Sequence, residues 1–200
     1  MDRKKLAFIT MFSMVVTLIA VPVRGGVCYY DSGTLGSSWS GLWGGAVRFT
    51  NPESYTITVT KLTIRGHSSI AGSLDVYLWE SDNGAPGSEL ASLTNQSLGS
   101  TWTSYDFSGS TITVGAGGDI FGGFRCGTAD MPYDSDATTT NRSWYKFSSS
   151  SSWTQGEFGS GSDYDLMVRM EYIPEPTMLL LLPLGGLMVL RSRRKRCTGP

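Results

Sequence analysis

From residue 47 to residue 171, apolar and polar positions alternate with a period of two, in short runs broken by Gly, Ser and Asn. Val47 and Phe49 alternate up to the punctuation at Asn51-Pro52. Tyr55, Ile57 and Val59 share one parity, whereas Leu62 and Ile64 take the other, which predicts a bulge or break near Thr60-Lys61. Leu74, Val76 and Leu78 mark one face of a strand whose other face carries Tyr77 and Trp79, and a turn follows over residues 82–87. Further runs rich in Thr, Tyr, Trp and Val lie at 89–93, 101–107, 111–114, 119–125, 143–147 and 164–171. No stretch of this region has a helical period. Roughly seven to nine such strands predict an all-β fold, an antiparallel β-sandwich of jelly-roll-like topology. The five serines at 148–152 read as a flexible loop.

Both ends depart from this pattern. Arg3, Lys4 and Lys5 precede an apolar run from Leu6 to Val21, and Val23-Arg24-Gly25 places small residues where a signal peptidase needs them. Residues 1–25 are therefore expected to be a signal peptide and residues 26–173 the folded domain. Residues 174–200 open with Pro174-Glu175-Pro176 and continue as fourteen uncharged residues from Thr177 to Leu190. The basic tail Arg191, Arg193, Arg194, Lys195 and Arg196 follows. A helix of that length reaches about 21 Å at ~1.5 Å per residue, short of a ~30 Å hydrocarbon core, and Pro183 and Gly185-Gly186 weaken it further. It suits a temporary hold better than a permanent anchor. With positive charge retained inside, the domain is expected on the far side of the membrane.

The order Pro-Glu-Pro, short Leu/Gly-rich helix, Arg cluster resembles the PEP-CTERM sorting domain of Gram-negative bacteria. This resemblance covers about the last 25 residues. It implies recognition by an exosortase, a membrane-embedded cysteine transpeptidase, with Pro174, Glu175 and Pro176 as the recognition residues. It also implies passage through the secretion machinery and the inner membrane, then residence at the cell surface or in the extracellular matrix. The region Val76-Tyr77-Leu78-Trp79, with the 84–87 turn and the strand at 163–169, is similar to β-sandwich modules of secreted bacterial proteins, which implies a fold and no particular ligand.

Charge sharpens the picture. Between Gly26 and Ile173, seven basic residues face fifteen acidic ones, a net charge of −8, and this acidity argues against nucleic acid as a partner. In an oxidising compartment Cys28 and Cys126 are candidates for a disulfide, with two separate thiols as the alternative. Catalytic chemistry has little footing. His67 is the only histidine, and no Gly-x-Ser-x-Gly elbow is present. Asp130, Asp134 and Asp136 fall within seven residues, and closely spaced hard oxygen ligands suit calcium, although the Gly and Glu of an EF-hand loop are missing. Trp144, Tyr145 and Trp153 flank the serine loop and are the candidate carbohydrate-facing group, because aromatic faces stack on sugar rings. The expected function is a non-enzymatic structural or adhesive envelope protein that binds exopolysaccharide. The alternative is a carbohydrate-active hydrolase on a lectin-like scaffold.

Overall fold

A computed structural model describes residues 25–67, 72–134, 142–156 and 165–175, with backbone alone at 37, 39, 40 and 127–130. Gly25–Ile173 forms one unit; Met1–Arg24 and Pro174–Pro200 group as another, nearly all of it outside the described residues. The signal peptide, the apolar segment, Pro176 and the basic residues Arg191, Arg193, Arg194, Lys195 and Arg196 lie there, so their expected roles rest on sequence. No helix among the described residues is long and apolar enough to cross a membrane.

Twelve strands build the described structure: β1 (Gly26–Cys28), β2 (Ser37–Thr50), β3 (Ile57–Arg65), β4 (Gly72–Asp82), β5 (Ala85–Leu98) and β6 (Trp102–Asp106), then β7 (Thr113–Val114), β8 (Asp119–Asp134), β9 (Ser143–Lys146), β10 (Thr154–Gln155), β11 (Asp165–Leu166) and β12 (Val168–Pro174). One 3-10 turn, Ser108–Ser110, is the helical content. All pairings are antiparallel. The smaller sheet has the order β1-β12-β3-β6, with β7 also on β3, and the larger has β10-β9-β2-β8-β4-β5, with β11 also on β8.

The inner faces of the sheets meet as the alternation requires. Ile57, Val59, Leu62 and Ile64 of β3 share one buried cluster with Phe49, Leu74, Val76, Leu78, Ile120 and Phe124 of the larger sheet. The result is an all-β, sandwich-like fold. The parity switch in β3 falls at Thr60-Lys61, where the strand leaves β7 and begins to pair with β6. The turn after β4 is tight: Asn83 and Gly84 both have positive φ (51° and 81°), the conformation a two-residue hairpin of matching twist needs.

Buried polar groups pin the ends of the strands. Asn51, 3% exposed, donates through Nδ2 to the carbonyls of Tyr55 (2.8 Å), Val114 (3.0 Å) and Gly115 (2.9 Å) and accepts from the Glu53 amide (2.9 Å). It thereby closes the β2–β3 turn onto the chain leaving β7. Asp31 pairs with Arg169 at 2.5 Å, and Asp165 accepts from the Ser143 hydroxyl at 2.8 Å. Of the two alternatives open for Cys28 and Cys126, the described structure has separate, buried thiols and no disulfide between them. Cys28 lies on β1 of the smaller sheet with its Sγ 3.9 Å from the Thr50 carbonyl, and Cys126 lies on β8 with its Sγ 3.5 Å from the Leu42 carbonyl. Burial pushes the Cys28 thiol pKa up.

Asn51→Ala would strand three carbonyls in a dry corner. It is expected to lower unfolding free energy by about 1–3 kcal/mol, measured by urea denaturation.

Candidate functional site

The outer face of the larger sheet carries the chemistry, and strand register explains how. Arg125 of β8 pairs with Gly44 of β2 on one side and Asp75 of β4 on the other, while Gly44 also pairs with Lys146 of β9. Directly paired residues share a face, so these four form one row. Two residues along, the next row is Trp144, Ala46, Gly123 and Tyr77, and beyond it lie Arg48, Phe121 and Trp79. Large rings thus alternate with Gly and Ala across the sheet. The small residues leave room for the rings to lie down. A Cβ on Gly123 would collide with the Gly45 carbonyl, and one on Gly44 would sit 3.7 Å from the Trp153 ring.

Part of this face is a second, smaller core. Trp79 (1% exposed) and Phe121 are buried, with Trp153 edge-on to Trp79 at 5.3 Å and Trp144 edge-on to Phe121 at 6.1 Å. The expected sugar-facing trio is therefore divided. Trp144 and Trp153 are half-buried and spend much of their ring surface on this core. Tyr145 is on the opposite face, packed toward the interior between the sheets and edge-on to Phe147 at 5.2 Å. Neighbouring residues of a strand point to opposite faces, which separates Trp144 from Tyr145.

The open part of the face lies one row away. Trp43, Ser73, Asp75, Tyr77 and Arg125 line a cleft of about 290 Å³. The Arg125 guanidinium carbon is 4.4 Å from the Tyr77 ring centre, 5.2 Å from Trp43 and 5.7 Å from Trp79. Lys146 Nζ stands 5.7 Å from Trp43 and 5.3 Å from Trp153. Each such contact contributes about 0.5–2 kcal/mol, so the rings hold both cations in place. Burial, and then the like charge of Arg125, push the Lys146 pKa down. Asp75 is the carboxylate of the cleft; it accepts from the Asn95 amide (2.8 Å) and from the Tyr77 hydroxyl (3.5 Å).

Of the residues considered for calcium, Asp134 is the one whose side chain is described. Asp134 ends β8, is fully buried, and accepts from the Ser32 amide. Asp136 and the side chain of Asp130 lie outside the described residues. No group of three His, Cys, Asp or Glu side chains among the described residues is arranged to hold a metal ion. Sequence reasoning did not select Trp43, Arg125 or Lys146. The Tyr77 and Trp79 face of β4 was the available signal, because rings on the outer side of a strand must be covered or used.

No protein-family model matches the chain, and no curated protein matches it. Its matches among solved structures include the following two. One is the clostridial cysteine protease Cwp84 after propeptide cleavage, 12% identical, with 76% of this chain and 40% of that chain covered at a TM-score of 0.59. The other comprises the cysteine protease and lectin-like domains of Cwp84, a surface layer associated protein of Clostridium difficile, 10% identical, covering 76% and 36% at 0.49. This chain spans well under half the length of either, and at such identity the first likeness shows a fold and no activity.

Replacing Arg125 with Gln removes the like charge but not the burial. The Lys146 pKa is expected to rise while staying below the ordinary lysine value, as followed by NMR titration of its side-chain resonances.

Proposed function

We propose that this protein is an exported, non-enzymatic envelope or matrix component whose jelly-roll body binds polysaccharide through the outer face of its larger sheet. The observation that carries the reading is the cleft itself. Half-buried Trp43 stands beside Asp75 and Arg125, with the buried Tyr77 beneath Arg125, which brings one accessible ring together with the hydrogen-bonding groups that sugars require. The hydrolase alternative needs two carboxylates facing each other across the substrate. Asp75 is the one carboxylate among the described residues lining this cleft, and the proposal therefore gives it a binding role.

The strand order supports the jelly-roll reading. With β8 and β12 counted as the seventh and eighth principal strands, the order 1-8-3-6 faces 2-7-4-5, two Greek keys wrapped together. The sorting route rests on the sequence alone. Pro174, Glu175 and Pro176, the apolar Thr177–Leu190 stretch and the basic tail support an exosortase as processing partner. Gly25 to Gly26 begins the folded unit, a position compatible with removal of the residues before it.

Two experiments test this reading. Glu175→Ala combined with Pro176→Ala is expected to increase the mass of the mature protein and to leave it in the membrane fraction. Unchanged mass and location would count against sorting at this motif. In affinity electrophoresis through extracellular polysaccharide from the producing cells, the exported protein is expected to be retarded. Trp43→Ala should weaken that retardation about tenfold, with its melting temperature little changed. Free migration of the unaltered protein would sink the binding reading.

A further inference from the structure

The folded region has seven basic side chains. On the smaller sheet and at the strand ends, each has an acceptor. Lys61 pairs with Glu171 at 2.9 Å and Arg169 with Asp31 at 2.5 Å. Arg65 donates to the Gly33 carbonyl at 2.7 Å, and Arg142 to the Arg48 carbonyl and the Thr50 hydroxyl, both at 3.2 Å. The remaining three are Arg48, Arg125 and Lys146, and all three lie on the outer face of the larger sheet. Among the described residues none makes an ion pair or side-chain hydrogen bond, and there the Nε atoms of Arg48 and Arg125 are buried without an acceptor.

This distribution runs against the composition. In a body of net charge −8, acceptors are abundant, yet Arg125 and its cross-strand neighbour Asp75 form no ion pair. The Asp75 carboxylate is turned to the Asn95 amide and the Tyr77 hydroxyl, and Arg125 is turned over the rings. Partly desolvated cations lacking an anion are costly, and ring faces offset only part of that cost. The cleft thus holds two kinds of unused capacity side by side. Asp75 has lone pairs that suit sugar hydroxyl donors and Arg125 has N–H donors that suit an anion, with the Lys146 ammonium outside the cleft lining but against the same Trp43 ring.

We infer that the cleft selects an acidic saccharide, a sugar unit carrying a negatively charged group, with Arg125 and Lys146 receiving the anion and Trp43 the ring face. This inference rests on the polysaccharide-binding reading and narrows it. The acidic remainder of the body does not forbid it, because charges beyond about 8 Å are largely screened at physiological ionic strength. Recognition is local to the row that holds Arg125, Gly44 and Lys146. The cleft, at about 290 Å³, lies at the small end of the ligand-site range, which suits one or two sugar rings of a longer chain.

The test compares polygalacturonate, dextran sulfate and neutral dextran as probes in affinity electrophoresis of the mature exported protein. Retention by polygalacturonate assigns a carboxylate and retention by dextran sulfate alone assigns a sulfate ester; either supports the inference when neutral dextran retains the protein at least tenfold less. Arg125→Gln and Lys146→Gln are each expected to weaken that retention by about tenfold, since a charge-assisted hydrogen bond is lost. Lys61→Gln, which removes an equal charge from the other sheet, should leave retention unchanged. Lys146 is only half-buried, so its variant reports on the site even if Arg125→Gln perturbs folding. Equal retention by neutral dextran, or equal losses from Lys61→Gln and Lys146→Gln, overturns acidic selectivity and leaves saccharide binding standing. No retention by these probes or by the producing cells' own polysaccharide overturns both.

Discussion

Strand β8 runs through the middle of the larger sheet with β2 on one side and β4 on the other, and both neighbours must agree on its register. A slip of one residue would carry Phe124, Gly122 and Ile120 outward and drive Arg125 and Phe121 into the interior between the sheets. The interior would gain a charge and lose two of its apolar side chains. Gly122 and Gly123 reinforce the constraint from opposite sides. A Cβ on Gly122 would meet Leu62 of the facing sheet, and one on Gly123 would meet the backbone of β2. Inner core and outer site are consequences of one pairing pattern.

The outer face shows how such a sheet manages exposed rings. Several hundred square ångströms of uncovered aromatic surface would invite association. Here the chain after β9 brings Trp153 back over Trp79, and Trp144 covers Phe121, so the centre of the face becomes dry. What remains open is the row beside it, where Arg125 and Lys146 lie against Trp43, and Arg125 also caps Tyr77, whose ring is stacked on Trp79. Arg125 and Lys146 are held near each other by that ring bed, and burial first, then the like charge of Arg125, depress the lysine pKa. The proposed acidic saccharide would bring negative charge and hydroxyls together at this surface, while net negative charge dominates the rest of the body.

Buried carboxylates and amides serve the opposite purpose, fixing strand ends. Asp31, Asp134, Asp165 and Asn51 are each less than 5% exposed, and each is engaged by protein groups. In the sequence, Asp134 looked like part of an acidic surface loop. Nothing in its neighbours revealed that β8 would extend through it and that the Ser32 amide would meet it from a distance of 102 positions. The same blindness hid Arg125 and Lys146, which are unremarkable charges until pairing with Gly44 sets them over Trp43.

The local chain determined a great deal. Period-two alternation marked the middle of most strands, though not β1, the start of β2, β10 or the far end of β8; the parity change in β3 located the break at Thr60-Lys61, Asn83-Gly84 lay in the expected turn, and Leu74, Val76 and Leu78 were separated from Tyr77 and Trp79. These are properties of adjacent residues and follow from backbone geometry. That geometry also required Trp144 and Tyr145 to face opposite ways, though it left open which of them met the interior. Tertiary structure decided what lies beside what: which thiols stay apart, which tryptophans become core, and which cations are left without an acceptor. Each depends on register between strands far apart in sequence, and register is settled by the packing of both sheets together.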